Sequence, residues 1–116
     1  MTREAQLLAQ TLLNHLKTVR RSPAQTLSIE SCLIPYGDLC ESAGMPLVKN
    51  TVGKFLREIA EWCSEKGWPP LNALAVNHAT RMPGRGYDDA PGCSLDHWRE
   101  QVTACIHFPD YPDTVS

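Results

Sequence analysis

The sequence predicts one domain of the α+β class that is mainly helical and contains a small strand. Two long stretches have apolar residues at three- and four-residue spacing, which is typical of amphipathic helices. A third observation is the short apolar run at residues 71–76, which is bounded by Pro69-Pro70 and Asn77 as a buried strand would be. The 116 residues suffice for a single hydrophobic core, so residues 1–116 are treated as one domain.

The N-terminal segment, residues 1–21, is expected to hold the first helix, from about residue 3 to residue 20. Its apolar positions recur at three- and four-residue steps and form one stripe: Ala5, Leu8, Leu12, Leu16 and Val19. Thr2 can cap the start of this helix, and Ser22-Pro23 should end it. Residues 24–33 have an irregular pattern, which indicates a loop or a short edge strand.

A helix-turn-helix is predicted in residues 35–66. A short helix should span residues 36–42, after which Gly44 can adopt a left-handed cap and Pro46 prevents the helix from continuing. The second helix should span residues 47–66, because apolar residues recur there at helical spacing: Val48, Val52, Phe55, Ile59 and Trp62. Two helices joined by a tight turn are the arrangement that these features favour.

The next segment, residues 71–87, is expected to hold a strand over residues 71–76 and a loop with a Pro83-Gly84-x-Gly86 turn. A last helix should occupy residues 94–106, with Ser94 as its cap. A helix-turn-helix followed by a strand and a loop indicates a winged-helix-like arrangement, in which the strand and loop form a small wing.

The composition restricts which class of protein this can be and where it is expected in the cell. Apolar residues make up 42% of the chain and charged residues 21%, and no apolar run approaches the roughly 20 residues that span a bilayer. The N-terminus lacks the pattern of a signal peptide, so we expect a cytoplasmic protein without a membrane segment. The five cysteines are odd in number and form no CxxC pair, which favours reduced thiols.

The charges are distributed unevenly along the chain. The formal net charge is −2, yet residues 1–85 carry +3 and residues 86–116 carry −5. A small basic face beside an acidic end would follow if these segments form separate surfaces. This distribution is compatible with binding to nucleic acid by the first part of the chain, although the basic excess is modest.

Three consecutive motifs lie between residues 36 and 56: Tyr36-Gly37-Asp38-Leu39-Cys40, Gly44-Met45-Pro46 and Asn50-Thr51-Val52-Gly53-Lys54-Phe55-Leu56. They resemble, without gaps, the DNA-binding C-terminal domain of the alkylguanine DNA alkyltransferases and of their non-catalytic relatives, the alkyltransferase-like proteins. In that family the third motif is the recognition helix of a winged helix. The resemblance implies a DNA-binding module whose partner is double-stranded DNA.

Two departures from the family pattern determine the chemistry that the resemblance implies. Asn50 stands where the family has the arginine that takes the place of an extruded base. If Asn77 is matched to the asparagine of the family's strand, Asn72 stands at the position of the reactive cysteine and Ala73-Leu74 replace the His-Arg pair. Alkyl transfer needs a thiolate activated by a neighbouring base, so we expect a protein that is not an enzyme.

The predicted DNA-contacting residues lie on the second helix and in the loops around it. Asn50 and Lys49 are expected at base edges with Thr51 beside them, because the first turns of this helix enter the major groove in helix-turn-helix proteins. Backbone phosphates would be contacted by a further set of side chains: Tyr36, Lys54, Arg81 and Arg85. The alternative interpretation is that these charged side chains are only solvated at the surface and bind no DNA.

A different class of function is a small inhibitor or adaptor, such as a phage anti-defence protein, that uses the same scaffold to block a protein partner. The weak charge and the acidic C-terminal part favour it. Trp68, Phe108 and Tyr111 are the candidate contact residues, and an exposed apolar patch around them would distinguish this function from DNA binding.

No metal, cofactor or catalytic group is predicted. Four residues near the C-terminus could be considered as metal ligands, but their spacing matches no usual zinc pattern: Cys93, His97, Cys105 and His107. Ser94, Asp96 and His97 do not form a nucleophilic triad, because neighbours at this spacing on a helix diverge. An enzyme whose site is assembled only by folding stays open as a third alternative.

Overall fold

A computed structural model of the chain describes residues 1–21, 29–45, 52–84 and 86–115. These residues form a mainly helical domain with a small two-stranded sheet. The α-helices are α1 (Arg3–Arg21), α2 (Ile29–Cys32), α3 (Tyr36–Ser42), α4 (Val52–Lys66) and α5 (Trp98–His107). The strands are β1 (Ile34–Pro35) and β2 (Ala75–Val76), and short 3₁₀ turns occupy Leu71–Leu74, Tyr87–Asp89 and Leu95–His97.

Helix α1 is the amphipathic helix that the sequence predicts. Its apolar stripe is buried in the core: Ala5, Leu8, Ala9, Leu12, Leu13 and Leu16. Thr2 caps the helix, because its Oγ1 accepts a hydrogen bond of 3.2 Å from the Ala5 N–H. The Thr2 backbone N–H and hydroxyl also donate to the Glu58 carboxylate of α4, each at 2.9 Å, so the cap joins the two helices.

The two helices of the predicted helix-turn-helix are present within the described residues. Helix α3 has the predicted bounds, and Gly44 after it has a φ of 72°, which is the left-handed conformation expected of its cap. Residues 46–51, which would form the turn and the first part of the second helix, lie outside the described residues. Helix α4 runs from Val52 to Lys66 and is followed by Gly67, whose φ is 73°.

The buried face of α4 differs by about one position from the stripe expected from the spacing of the largest apolar residues. The fully packed side chains are Val52, Leu56, Ile59, Ala60 and Cys63. Phe55 and Trp62 are half-buried and pack at the margin of the core. Small residues such as Ala60 and Cys63 allow the neighbouring elements to approach closely, and the bulkier aromatic rings cover the edges.

Residues 71–76 are a strand only at their end, which corrects the sequence prediction. Leu71–Leu74 form a 3₁₀ turn in which the Ala73 N–H donates to the Pro70 carbonyl at 2.9 Å. The Ala73 carbonyl accepts a 2.9 Å hydrogen bond from the Trp98 indole of α5. Only β2 (Ala75–Val76) is extended, and it pairs in parallel with β1.

One other segment also differs from the sequence prediction. Residues 29–32, expected as part of a loop or edge strand, form the short helix α2, and residues 22–28 lie outside the described residues. The loop after β2 folds as a turn, because the Asn77 side chain accepts hydrogen bonds from the N–H groups of Ala79 and Thr80 at 2.8 and 3.4 Å. In the described part of this loop β2 gains no second strand beside it.

The last helix begins later than predicted, and Ser94 does not cap it through its side chain. Leu95–His97 form a 3₁₀ turn, and α5 starts at Trp98. The Leu95 N–H donates to the Asp88 carboxylate instead, while the Ser94 N–H donates to Gln101 at 3.3 Å. The negative charge of Asp88 therefore takes the role at this helix start that the sequence assigned to the Ser94 hydroxyl.

Arg20 joins the end of α1 to the end of α5. Its guanidinium donates to three backbone carbonyls, those of Cys105, Ile106 and Phe108, at 2.8, 2.9 and 2.5 Å. These carbonyls lie at the C-terminus of α5, where the helix leaves its last acceptors unpaired and where positive charge is favoured. Lys17 forms a second link, a 2.9 Å ion pair with Asp113 in the C-terminal segment.

All five cysteines are buried and free of disulfides. Burial raises the pKa of Cys63 to about 11 and that of Cys105 to about 12, and it raises the pKa of Cys32, Cys40 and Cys93 as well. No helix among the described residues is both long enough and apolar enough to cross a bilayer.

Replacing Arg20 with methionine, which keeps an unbranched apolar stem, is expected to lower the free energy of unfolding by about 2–3 kcal/mol, because three carbonyls lose a charged donor. Urea unfolding followed by circular dichroism measures this. Lys17→Met is the matched control: its ion pair is exposed, so a loss of less than about 1 kcal/mol is expected. Equal losses in the two variants would contradict the role given to Arg20.

The buried thiols should make the protein less stable at alkaline pH. The unfolded chain has thiol pKa values near 8.5, below those of the folded state, so the stability that the bound protons provide is complete below about pH 8.5. It is lost as the pH rises toward the folded pKa values of about 11 for Cys63 and about 12 for Cys105.

We expect the free energy of unfolding to fall between about pH 8.5 and 10, approaching about 1.4 kcal/mol per pH unit for each such thiol. Urea titrations at several pH values measure the slope. The Cys63→Ala variant is destabilised at every pH by the cavity that the substitution leaves. Its free energy of unfolding should fall less steeply with pH, because the contribution of the Cys63 thiol to the slope is absent. A slope identical to that of the unsubstituted protein would show that Cys63 does not contribute.

Candidate functional site

The most distinctive site is a cavity of about 350 Å³ beside α4. Four parts of the chain form it: the start of α3, the first turns of α4, the stretch that contains the 3₁₀ turn and β2, and the glycine-rich loop with the turn after it. The lining residues are Tyr36, Gly53, Lys54, Leu56, Arg57, Asn72, Ala75, Gly84, Gly86, Tyr87, Asp89 and Ala90. We call this space the Asn72 cavity, after the buried polar residue in its wall.

Tyr36 holds the glycine-rich loop against the cavity. Its hydroxyl accepts a 2.6 Å hydrogen bond from the Gly84 N–H. A Cβ at position 84 would lie 3.3 Å from that hydroxyl, a tight contact that the glycine avoids. Burial raises the pKa of Tyr36, and the Gly84 N–H partly opposes this shift. The hydroxyl therefore stays protonated at neutral pH and retains a hydrogen that it can donate.

Asn72 is the one buried polar residue among the described residues, with 4% of its surface exposed. Its Nδ2 donates to the Cys93 sulfur at 3.6 Å, and the Cys93 thiol lies 3.5 Å from the Pro91 carbonyl, to which it donates. The Asn72 Oδ1 has no hydrogen-bond partner within the described part of the chain. Buried polar atoms are nearly always paired, so an unpaired amide oxygen at this position is unusual.

The described part of the cavity rim carries three exposed charged side chains, those of Lys54, Arg57 and Asp89. Arg57 makes an ion pair of 3.4 Å with Glu61 one turn further along α4, and both side chains are about half exposed. Within the described residues Lys54 forms no ion pair. Among the described rim residues, Lys54, close to the start of α4, is therefore the cation without an ion-pair partner.

The structure brings together some of the predicted DNA-contacting residues and separates others. Tyr36 and Lys54 line the same cavity, although they belong to different helices. Arg81 lines a separate groove of about 520 Å³, where its guanidinium donates to the Glu30 carbonyl at 3.2 Å. Arg81 also has a left-handed backbone, with φ of 58°, which directs the turn after β2. The remaining predicted contacts lie outside the described residues: Lys49, Asn50, Thr51 and Arg85.

The predicted protein-contacting residues form one aromatic ladder. Trp68 packs edge-to-face on Tyr111 with ring centroids 5.9 Å apart, and Tyr111 packs on Phe108 at 4.7 Å. Trp62 of α4, one of the apolar residues whose spacing predicts that helix, extends the ladder to Trp68 at 5.0 Å. The four rings are half-buried, and the Tyr111 hydroxyl donates to the Pro69 carbonyl at 2.7 Å. The ladder thus holds the C-terminal segment against the core.

The residues considered as metal ligands make separate contacts. The Cys105 thiol donates to the Pro70 carbonyl at 3.2 Å, and His97 lies 3.1 Å from Glu100 on the surface. No group of three or more potential ligands that could hold a metal ion occurs among the described residues. The buried, protonated thiols are poor nucleophiles, because only a thiolate attacks or ligates effectively.

Sequence reasoning identified Tyr36 and Lys54 but did not treat Asn72 as a binding residue. Asn72 entered only as the residue at the position of the family's reactive cysteine. One signal was available: Asn72 interrupts an otherwise apolar run, and a polar residue in a buried run needs a partner.

Comparison with known proteins gives no match to a family model, to a curated protein or to a solved structure.

Proposed function

We propose that this chain is a non-enzymatic DNA-binding module with a winged-helix-like surface, resembling the alkyltransferase-like proteins, and that double-stranded DNA is its partner. The observation that carries the proposal is the convergence of Tyr36 and Lys54 on one open cavity beside the start of α4. Both residues were assigned to DNA backbone contacts from the sequence alone. Their convergence gives the proposed surface a defined centre.

The start of α4 supports an approach by a phosphate backbone. Lys54 is exposed, and within the described residues no acidic side chain neutralises it. Gly53 beside it is also exposed, and a Cβ built there would meet no atom within 4 Å. A phosphate group can therefore reach the backbone at this position and pair with the Lys54 ammonium group.

The proposal assigns base reading to the residues just before α4. Lys49, Asn50 and Thr51 directly precede it in the chain, and in helix-turn-helix proteins this part of the second helix enters the major groove. Asn50 would pair with adenine and Lys49 with guanine. Arg81 would contact a phosphate from its separate groove, and Arg85 would do so from the glycine-rich loop.

Two observations support a binding function without catalysis. Asn72, an amide that is a poor nucleophile, lines the cavity at the position matched to the family's reactive cysteine. The cysteines are buried with raised pKa values, so the fraction of thiolate at neutral pH is very small. The proposed module therefore binds DNA without transferring a group from it.

The test is a fluorescence-anisotropy titration with a labelled mixed-sequence duplex of about 20 base pairs, in low and physiological salt. We expect binding that weakens at least about tenfold between about 50 and 200 mM salt, since phosphate contacts release counterions. Lys54→Glu should reduce the affinity by about tenfold or more at low salt, because it places a negative charge beside the phosphate.

Lys66→Glu is the matched control, because Lys66 is exposed at the opposite end of the same helix and the charge change is identical. Its affinity should stay within about threefold of the unsubstituted protein. Absence of binding at low salt would contradict DNA binding, and equal losses in both variants would show attraction that depends only on net charge.

A second candidate function, a small protein-binding inhibitor or adaptor, is favoured by the aromatic ladder. Trp68, Tyr111 and Phe108 converge as that function requires, and aromatic residues are enriched where proteins bind each other tightly. Phe108 and Tyr111 lie in residues 86–116, where acidic residues predominate, so a basic partner surface would complement that end of the ladder.

Phe108 is the ladder member to test, because Tyr111 also anchors the C-terminal segment through its hydroxyl. If the ladder binds a protein, Phe108→Ser should reduce the amount of that partner recovered with the immobilised domain by about tenfold, as loss of an aromatic anchor does. Met82→Ser is the control, since Met82 is 43% exposed on another surface. Equal recovery with both variants would exclude the ladder as the contact.

A further inference from the structure

We propose that a second copy of this chain docks on the groove that Arg81 lines, so that two copies form a two-fold symmetric dimer. The groove has a volume of about 520 Å³, and we call it the Met82 groove. Residues 80–82 of the turn after β2 form its turn wall, and the lining residues of 95–100 at the start of α5 form its helix wall. The dimer goes beyond the DNA-binding proposal, because it requires no nucleic acid.

The Met82 groove is apolar and open to solvent. Met82 and Leu95 line it, and they are two of the four large apolar side chains that are exposed among the described residues. The buried side chains of Leu33 and Trp98 also line it, and the Trp98 indole N–H is already paired with the Ala73 carbonyl. Single exposed apolar residues are ordinary on a protein surface, whereas two beside one apolar groove mark an interaction surface.

The two walls of the groove carry opposite charge. On the turn wall the Arg81 guanidinium donates to the backbone carbonyl of Glu30, so its charge has no carboxylate partner within the described residues. On the helix wall Arg99 is offset by its 3.5 Å ion pair with Glu30. Asp96 and Glu100 leave that wall negative.

The charged residues outside the described ranges are compatible with this division. Residues 22–28, which precede α2, include no charged residue. Arg85 is flanked by Gly84 and Gly86, which line the Asn72 cavity and not this groove. Arg85 is also a cation like Arg81, so it would add to the sign of the turn wall. Lys49 precedes α4, and no described residue of α4 lines the groove.

This distribution makes the groove complementary to itself. Each wall offers one exposed apolar side chain and one sign of charge, and a two-fold axis sets the turn wall of each copy against the helix wall of the other. Met82 then packs on Leu95 of the second copy, and Arg81 pairs with Asp96 of the second copy. Each contact occurs twice in the dimer. An interface of this size is small, so the association is weak and reversible.

The test is sedimentation velocity of the full chain, with a reductant and without DNA, from about 10 µM to about 1 mM, the range suited to a weak interface. We expect the sedimentation coefficient to rise with concentration toward that of a dimer. Leu95→Ser should raise the dimer dissociation constant at least about tenfold, because it removes an apolar contact made twice. Leu7→Ser is the matched control, since Leu7 on α1 is equally exposed, at 39%, and lies outside the groove.

Charge reversal tests the pairing of the two walls. Arg81→Glu and Asp96→Lys, each alone, should weaken the dimer at least about tenfold, because like charges then face each other. An equimolar mixture of these two variants should associate again, since in the mixed dimer both contacts between positions 81 and 96 join opposite charges. Asp110→Lys is the matched control, because Asp110 is exposed outside the groove and the charge change is the same.

If Arg81→Glu does not fold, Leu95→Ser and Asp96→Lys still decide the question. The proposal is overturned by a monomer that persists at about 1 mM, a concentration at which even weak interfaces associate. Unchanged association in both of those variants, or a mixture of folded charge variants that stays monomeric, would also overturn it.

The dimer and the DNA-binding proposal can fail separately. Arg81 is the residue that both use, and in the dimer it pairs with Asp96 instead of a phosphate. The sedimentation experiment contains no DNA, so absence of DNA binding leaves the dimer intact. A chain that stays monomeric leaves the Lys54 contact with DNA intact, because Lys54 lies outside the Met82 groove.

Discussion

The rest of the structure depends on a buried turn, Leu71–Leu74, whose backbone must find its hydrogen-bond partners outside a sheet. Its four residues are at most 4% exposed and lie among α1, α4 and α5. The Trp98 indole pairs with the Ala73 carbonyl, and the Pro70 carbonyl accepts from both the Ala73 N–H and the Cys105 thiol. Trp98 and Cys105 thereby hold α5 against this turn at two points, because buried backbone carbonyls without partners would be costly.

The sequence predicted α1 and α3 well, but it missed α2, placed the start of α5 too early and described the central segment only in part. The bounds of α1 and α3 follow from apolar periodicity and from capping residues, which are local signals. The run at 71–76 was correctly expected to be buried, yet its hydrogen bonding depends on Trp98, which lies more than twenty residues away. A short apolar run has no periodicity that distinguishes a 3₁₀ turn from a strand, so the tertiary partner decided the outcome.

The candidate site shows the same division between local and tertiary information. Tyr36 and Lys54 could be selected from their motifs, but their convergence on one cavity depends on how α3 and α4 pack. Arg81 belongs to the same sequence segment as Gly84 and Gly86, yet its guanidinium pairs with the Glu30 carbonyl in another groove. Spacing along the chain cannot reveal such pairings, because they are made between residues that are distant in sequence.

The Arg20 contacts have a consequence for the order in which the molecule assembles. Arg20 pairs with carbonyls 85, 86 and 88 residues further along the chain, so α1 cannot complete its contacts until α5 has formed and docked. Closing a loop of this length has an entropic cost before any contact offsets it, which favours a slow and highly cooperative transition. The amide hydrogens of α1 and α5 should consequently exchange with solvent as one unit, although the two helices lie at opposite ends of the chain.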